Sequence, residues 1–264
     1  MVMNEGQVTC LFVHGWAMNS TIWQPLIEKL PNWINVESVD LPGHGLRINE
    51  SFTSLDELTK DLQAQCDQYK KDNEPLILVG WSLGALPCLQ LCVNDAEEVD
   101  ALMVVSSNPC FVSRDNWRCG VEALVFDEFA ASLKNDFSGT IRRFLSLQVK
   151  GSDSGRIVLR DLREKILQQA VPNEVSLDAG LEVLKQVDLR DQLEEITKPV
   201  SWVLGGQDGL VKQGLVGELK ILMPQAEVEL YEKAGHAAFL SHSEEFLQQL
   251  ISFASTTLKI KHVK

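Results

Sequence analysis

Basic residues are scarce in this sequence of 264 residues: 24 lysines and arginines stand against 37 acidic residues, a formal charge of −13. Such an acidic chain is poorly suited to nucleic acid or an anionic membrane as its main partner. Long apolar segments are scarce as well. The first thirteen residues hold a six-residue apolar run and no basic residue, too little for a signal peptide or a membrane span. We therefore expect a cytoplasmic protein without a membrane partner.

Cysteine pairs of the C-x-x-C type are missing among the six cysteines. Cys10, Cys88 and Cys92 lie in apolar segments, where a small buried thiol is expected. We interpret all six as free thiols, which is typical of a reducing cytoplasm. Low-complexity tracts, long linkers and internal repeats are missing too. With 45% hydrophobic residues, the chain can form one globular domain with room for an inserted subdomain.

The stretch 75–86 combines a short apolar run, the motif Gly80-Trp81-Ser82-Leu83-Gly84 and a second apolar segment. This order predicts a buried strand, a sharp turn and a helix. A bare Gly-x-Ser-x-Gly also arises by chance, and its position between a strand and a helix is what favours a catalytic Ser82. The turn leaves the first N–H groups of the helix unpaired, so the Leu83 N–H is a candidate oxyanion donor.

Strands and helices alternate along much of the chain, which predicts an α/β fold with a mostly parallel central sheet flanked by helices. The expected strands and helices are strands 8–13, 36–39, 101–106, 200–204 and 226–231 and helices 21–30 and 55–69. From residue 110 to 193 the alternation stops and the sequence looks helical throughout. We call residues 110–193 the insertion. We predict it to be an all-helical lid over the carboxyl ends of the strands of a core formed by 1–109 and 194–264.

The insertion carries an excess of basic residues in an otherwise acidic chain. Between residues 134 and 165 there are eight basic and four acidic side chains. Arg156, Arg160 and Arg163 recur at helical spacing on a single stripe. A charged helix face usually serves only solvation. The alternative is an anionic macromolecular partner bound by arginines.

Two further polar residues follow the late strands in the order that goes with a serine nucleophile. Asp208 comes after the strand 200–204, and His236 comes after the strand 226–231. The order serine, aspartate, histidine predicts that His236 accepts the Ser82 proton while Asp208 orients its imidazole. His44 precedes the serine and is not expected to be the base. After the first strand, His14-Gly15-Trp16 offers the Trp16 N–H as a second oxyanion donor.

With these motifs and the loop Asp40-Leu41-Pro42-Gly43-His44-Gly45 in place, the chain resembles the α/β-hydrolase superfamily along nearly its whole length. It is more narrowly similar to the family of pimeloyl-[acyl-carrier protein] methyl ester esterases of biotin synthesis. The stretches that carry this narrower resemblance, besides the Ser82 motif, are 106–111, 143–148, 180–184, 187–190 and 208–211. The stretches within the insertion are the more specific ones, since many esterases share the catalytic motifs.

The resemblance implies hydrolysis of the methyl ester of a pimeloyl chain carried by acyl carrier protein, with release of methanol and without metal or cofactor. It also implies that the insertion binds the carrier while the acyl chain enters a channel between insertion and sheet. We expect the protein to be a monomer. The residues implied for carrier binding are Arg142, Arg143, Arg156 and Arg160. Those implied for the acyl site are Trp16, Leu83, Phe144, Leu147 and Gln148. The family has a further arginine at the position that Gly139 occupies in this chain. The neighbouring Arg142 is a candidate to replace it.

The sequence is compatible with three other functions. The first is a general cytoplasmic carboxylesterase that acts on short free esters, for which salt should hardly affect turnover. The second is a related enzyme that acts on carbon–carbon bonds or in menaquinone synthesis, against which the basic stripe counts. The third is a ligand-binding receptor that keeps the fold and the triad, and its affinity should not depend on the Ser82 hydroxyl.

Overall fold

The computed structural model describes residues 7–72, 74–148 and 171–263. At its centre is a six-stranded sheet with strand order β2-β1-β3-β4-β5-β6, in which every adjacent pair is parallel. The strands are β1 Val8–Val13, β2 Ile34–Val39, β3 Leu76–Trp81, β4 Ala101–Val105, β5 Val200–Gly205 and β6 Glu227–Tyr231. The predicted parallel sheet is therefore confirmed.

The central strands are buried along their whole length, whereas the edge strands are partly exposed. All residues of β1, β3, β4 and β5 are buried. In β6, exposed or half-buried residues precede a buried Tyr231. A parallel strand that is covered on both faces reads as a continuous apolar run. This is why the sequence predicts the central strands to within two residues.

Helices and short 3₁₀ turns connect the strands. The 3₁₀ turns are Ser20–Trp23, Gly45–Arg47, Ser82–Gly84 and Arg190–Glu195. The helices are α1 Gln24–Ile27, α2 Leu55–Tyr69, α3 Ala85–Val93, α4 Ala123–Asn135, α5 Phe137–Gln148, α6 Glu174–Gln186, α7 Leu215–Leu222, α8 Ala238–Ser241 and α9 Ser243–Val263. Helix α2 matches its predicted bounds. Its N-cap is Ser54, whose hydroxyl accepts a hydrogen bond from the Glu57 N–H at 3.2 Å.

The predicted helix at 21–30 is wrong in its length and continuity. A 3₁₀ turn covers Ser20–Trp23, and the short helix α1 begins only at Gln24. The reason is Pro25, which has no N–H to bond to Thr21 and whose ring would clash with the Thr21 carbonyl in a continuous helix. Proline is well suited to the first turn of a helix, so a new helix begins beside it.

The insertion is not helical from its start, which corrects the prediction of an all-helical lid. Residues 111–121 fold back on themselves, with one bridge between Val112 and Val121 and another between Arg114 and Trp117. Gly120 permits this fold, because a Cβ there would lie 2.4 Å from the Val112 carbonyl carbon. Helices α4, α5 and α6 follow within the described parts of the insertion. Its boundaries and its action as a lid stay predictions.

Polar contacts join the two ends of the insertion to each other. The Arg190 guanidinium donates to Asp188 at 2.7 and 2.8 Å and lies 5.0 Å from the centre of the Trp117 ring. The Leu189 N–H donates to the Pro109 carbonyl at 2.9 Å. The Arg190 side chain thus links the beginning of the insertion to its end through the Trp117 ring.

Candidate active site

Ser82 follows β3 in a strained backbone conformation. Its φ is +54°, in the left-handed region that residues other than glycine rarely adopt. The flanking glycines make room for the turn. A Cβ at Gly80 would lie 2.6 Å from the Ala85 Cα, and one at Gly84 would lie 2.3 Å from the His14 carbonyl oxygen. Both distances are below any real Cβ contact, so the turn requires glycine on either side of the serine.

An imidazole and a carboxylate extend from Ser82 in a hydrogen-bonded chain. The His236 Nε2 lies 2.9 Å from the Ser82 Oγ, and its Nδ1 lies 2.7 Å from the Asp208 Oδ2. The other Asp208 oxygen accepts from the N–H groups of Leu210 at 2.8 Å and Val211 at 3.1 Å. An ionised carboxylate has no proton to donate, so Nδ1 carries the imidazole proton and Nε2 is left as an acceptor for the Ser82 hydroxyl. The structure thus brings together the three residues predicted to be catalytic.

The loops that carry Asp208 and His236 are packed against each other. The Gln207 N–H donates to the Ala234 carbonyl at 2.8 Å. A Cβ at Gly205 would lie 2.2 Å from the Gly235 carbonyl oxygen, so the absence of a side chain lets the two loops meet. Because β5 and β6 are adjacent and parallel, their carboxyl ends deliver the acid and the imidazole to the same edge of the sheet.

The loop after β1 lies against Ser82. A Cβ at Gly15 would lie 3.1 Å from the Ser82 Cβ, so the chain passes close to the serine just before Trp16. Leu83 is the second residue of the turn that opens with Ser82. The N–H groups of these two residues, Trp16 and Leu83, therefore remain the candidates for an oxyanion site on either side of the serine.

Two buried histidines support this region without taking part in the Ser82 hydrogen bonds. The His14 Nδ1–H donates to the Gly15 carbonyl at 2.8 Å, and its Nε2 accepts from the Leu41 N–H at 3.0 Å. His44 packs on His14 with a ring separation of 5.2 Å. Burial lowers the pKa of His14 and lowers the pKa of His44 to about 3. Both rings are therefore neutral, and His236 is the imidazole that contacts Ser82, as predicted.

Trp81 is a contact of His236 that the sequence does not indicate. Its indole Nε1 donates to the His236 carbonyl at 2.9 Å, and the two rings lie 5.7 Å apart. The variable position of a Gly-x-Ser-x-Gly motif carries no sequence signal for such a bond. Trp81 is 1% exposed, so this hydrogen bond is formed away from water and fixes the backbone of the imidazole-bearing residue.

Replacing Trp81 with phenylalanine should lower kcat with little change in KM. Trp81→Phe keeps an aromatic ring but removes the donor to the His236 carbonyl. We expect kcat to fall about five- to tenfold, which corresponds to a hydrogen bond worth about 1 kcal/mol. The matched control is Trp202→Phe on β5, since the buried Trp202 Nε1 has no hydrogen-bond partner among the described residues. Equal kcat values for the two variants would show that the Trp81 bond does not position His236.

Aromatic side chains from the insertion pack on Trp16. Phe144 of α5 lies edge-on to the indole at 5.6 Å, and Phe129 of α4 lies edge-on to it at 5.3 Å. The two phenylalanines are themselves 5.4 Å apart. The sequence predicts Phe144 for the acyl site but not Phe129, because nothing in the helical spacing of Phe129 separates it from core residues. Arg156 and Arg160 lie outside the described residues. Leu147 and Gln148 belong to α5, but their side chains are not described, so the roles of all four residues stay predictions.

The remaining predicted arginines, Arg142 and Arg143, are exposed on α5. The Arg143 guanidinium donates to the Thr140 hydroxyl at 3.0 Å and lies 4.0 Å from Asp136. Asp136 also accepts from the Gly139 N–H at 2.9 Å, so it caps the first turn of the helix. A Cβ at Gly139 would lie 1.9 Å from the Asp136 carboxylate. An arginine at that position would therefore displace the cap, which gives a local reason for glycine there.

Residues 10–249 match the Alpha/beta hydrolase family. The chain belongs to the alpha/beta hydrolase family. Three similar relatives are named "Pimeloyl-[acyl-carrier protein] methyl ester esterase". The relative from Vibrio cholerae is 37% identical over 96% of both chains. The one from Aliivibrio salmonicida is 34% identical over 94% of this chain and 93% of its own, and the one from Salmonella typhimurium is 35% identical over 96% of both.

Two solved structures share the fold of this chain. An esterase from Exiguobacterium antarcticum has a TM-score of 0.83 at 20% identity and covers 95% of this chain and 92% of its own. A bromoperoxidase from Bacillus anthracis has a TM-score of 0.81 at 20% identity and covers 94% of this chain and 91% of its own.

Within the described ranges, no helix is long and apolar enough to cross a membrane. The same ranges contain no cluster of three or more histidine, cysteine, aspartate or glutamate side chains able to hold a metal ion.

Proposed function

We propose that this hydrolase is a serine carboxylesterase that cleaves the methyl ester of pimeloyl-[acyl-carrier protein] in the cytoplasm. The observation that carries the proposal is the hydrogen-bonded chain from Ser82 through His236 to Asp208. Relatives named "Pimeloyl-[acyl-carrier protein] methyl ester esterase" match this protein over nearly its full length. We take the substrate from the name of these relatives and the type of reaction from the hydrogen-bond geometry.

The reaction would proceed in two steps through an acyl-enzyme. In the first, the Ser82 Oγ attacks the ester carbonyl while His236 Nε2 takes its proton, and the tetrahedral oxyanion is bound by the N–H groups of Trp16 and Leu83. Collapse of this intermediate breaks the bond to the methoxy group, which leaves as methanol with the proton from His236. In the second step, His236 deprotonates a water that attacks the acyl group. The pimeloyl carboxylate is then released and Ser82 regains its proton.

The substrate carries two bonds that a serine could attack, the terminal methyl ester and the thioester to the carrier. Selection between them is a matter of placement, because both carbonyls react by the same chemistry. A carrier bound outside the insertion would place the far end of the chain at Ser82 and hold the thioester away. The exposed Arg142 and Arg143 on α5 are the described residues that we assign to that contact, together with Arg156 and Arg160 outside the described ranges.

Methanol release should depend on the carrier and on salt. We expect kcat/KM for methyl pimeloyl-carrier protein to exceed that for free methyl pimelate at least about tenfold at 10 mM salt, where charges act over about 30 Å. At about 150 mM salt this reach falls to about 8 Å, so the preference should shrink. The measurement is methanol released from both esters at both salt concentrations, with Ser82→Ala as the blank.

Variants that lack one positive charge test whether the insertion binds the carrier. Arg143→Gln should raise KM for the carrier-bound ester about threefold or more and leave the free ester unchanged. Lys220→Gln removes an exposed charge from α7, outside the insertion, and should alter neither ester. Equal turnover of the two esters, indifferent to salt, would favour the general carboxylesterase instead. The receptor would be favoured if Ser82→Ala binds the ligand as well as the wild type does and the wild type shows no hydrolysis that depends on Ser82.

A further inference from the structure

The indole of Trp16 touches every helix of the insertion that the structure describes. It packs in T-shaped geometry against Phe129 of α4 and Phe144 of α5, with ring centroids 5.3 and 5.6 Å apart. Its Nε1 donates to the Leu177 carbonyl of α6 at 2.9 Å, and the residue is 2% exposed. One buried side chain thus connects the insertion with the loop that passes Ser82.

Gly180, one helical turn after Leu177, lies against the same indole. A Cβ at this position would lie 2.6 Å from the Trp16 Cδ1 and 3.1 Å from the Leu83 Cδ2. An alanine therefore does not fit unless the indole or α6 moves. The missing side chain lets α6 contact both residues whose N–H groups are the oxyanion candidates.

A shift of this indole would be transmitted to the backbone beside Ser82. Gly15, which precedes Trp16, already has its Cβ position only 3.1 Å from the Ser82 Cβ. Oxyanion donors act over a narrow range, about 2.7–3.1 Å from the developing oxyanion. A small displacement of the Trp16 N–H would therefore weaken binding of the transition state more than binding of the ester.

We propose that Gly180 and the Leu177 carbonyl are positioning groups for the oxyanion site. They hold the Trp16 indole and the Leu83 side chain so that the two N–H groups face the oxyanion. The insertion thereby contributes to the chemical step as well as to covering the site. This inference rests on the serine-ester chemistry of the proposed function, but it does not require the carrier protein.

The direct test is Gly180→Ala, with Gly217→Ala as the matched control. Gly217 lies in helix α7, and a Cβ there would have nothing within 4 Å. For each variant we would measure kcat and KM with free methyl pimelate and the Kd of butylboronic acid, which forms a tetrahedral adduct with a reactive serine. Gly180→Ala should lower kcat and weaken boronate binding by about 10- to 100-fold, with KM changed less than about threefold. Gly217→Ala should change none of the three.

A second variant keeps the inference testable if Gly180→Ala does not fold. Trp16→Phe removes the Nε1–H that bonds to the Leu177 carbonyl. It also replaces the indole with a smaller ring, which can move away from a methyl group at position 180. Trp16→Phe alone should weaken boronate binding about fivefold or more. Adding Gly180→Ala to it should cost less than Gly180→Ala costs in the wild-type chain, because the smaller ring is no longer tied to Leu177 and can yield to the methyl group. Trp23→Phe is the control, since the buried Trp23 Nε1 has no partner among the described residues.

The outcomes separate this inference from the proposed function. If Gly180→Ala and Trp16→Phe both keep kcat and boronate affinity within about twofold of the wild type, the positioning role is refuted while the esterase stands. Fully additive losses in the double variant would also refute it. If the wild type and Ser82→Ala release methanol at the same rate, it is the proposed function that fails.

Discussion

Asp208→Asn is expected to lower kcat for ester hydrolysis about 10⁴-fold while leaving the protein folded. The reason lies in the two N–H groups that bond to the Asp208 Oδ1, those of Leu210 at 2.8 Å and Val211 at 3.1 Å. These donors require an oxygen at that position. An asparagine there would keep its carbonyl oxygen on the two amides and turn its NH₂ group toward the His236 Nδ1.

An NH₂ group in that place would reverse the tautomer of His236. Nδ1 would have to accept a hydrogen bond, and the ring proton would move to Nε2, which lies 2.9 Å from the Ser82 Oγ. A protonated Nε2 has no lone pair with which to take the serine proton. KM should stay nearly constant, since the carboxylate does not contact the ester. Initial rates of methanol release with free methyl pimelate, analysed for kcat and KM, provide the measurement.

Asp100→Asn serves as the control for the same chemical change. Asp100 accepts from the Lys70 Nζ and from the Leu76 N–H at 2.8 Å, and it directly precedes β4, at the amino end of the sheet. This variant should lose some stability and keep its kcat. If Asp208→Asn retained more than about a tenth of the wild-type kcat, the assigned role of Asp208 would have to be abandoned.

The candidate site was largely predictable because it is built at the ends of buried parallel strands. Such strands appear in the sequence as short apolar runs, and the polar residues that follow them meet at one edge of the sheet. Ser82, Asp208 and His236 each follow a strand of this kind. Their order along the chain predicts their roles, and the structure places His236 within hydrogen-bonding distance of both Ser82 and Asp208.

The supporting contacts were not predictable for a different reason. The bond from Trp81 to the His236 carbonyl joins residues 155 positions apart, and the one from Trp16 to Leu177 spans 161 positions. Neither pair has a spacing or a composition that marks it, because the contacts arise only when separate elements pack together. Gly180 likewise reads as an ordinary helical glycine until the indole beside it is known.

The two errors in secondary structure differ in kind. At 21–30 the apolar spacing is helical, and Pro25 was a local signal that the helix could not be continuous. At 111–121 the fold-back depends on contacts between positions nine residues apart, such as Val112 and Val121, around Gly120. The first error could have been avoided from the sequence, whereas the second required knowledge of how the segment packs on itself.

Gly84→Ala should destabilise the protein by about 3 kcal/mol, at the upper end of what overpacking costs. Gly84 has an ordinary helical backbone, so alanine would otherwise stabilise the chain by about 0.4–1 kcal/mol. We expect a loss of stability instead of a gain, because the new methyl group would lie 2.3 Å from the His14 carbonyl oxygen and 2.7 Å from that of Val13. Both atoms belong to backbone, which cannot turn aside as a flexible side chain can.

The melting temperature of Gly84→Ala should therefore fall by roughly 6–12 °C, as expected for a chain of this size. Its kcat should fall as well, because the displaced carbonyl of His14 directly precedes Gly15 and Trp16. Calorimetry and methanol release give the two quantities, with Gly217→Ala as the control that should melt slightly higher than the wild type. A melting temperature for Gly84→Ala within about 1 °C of the wild type would mean that the turn after β3 can relax. The tight packing between this turn and β1 would then not be what holds Ser82 in its strained conformation.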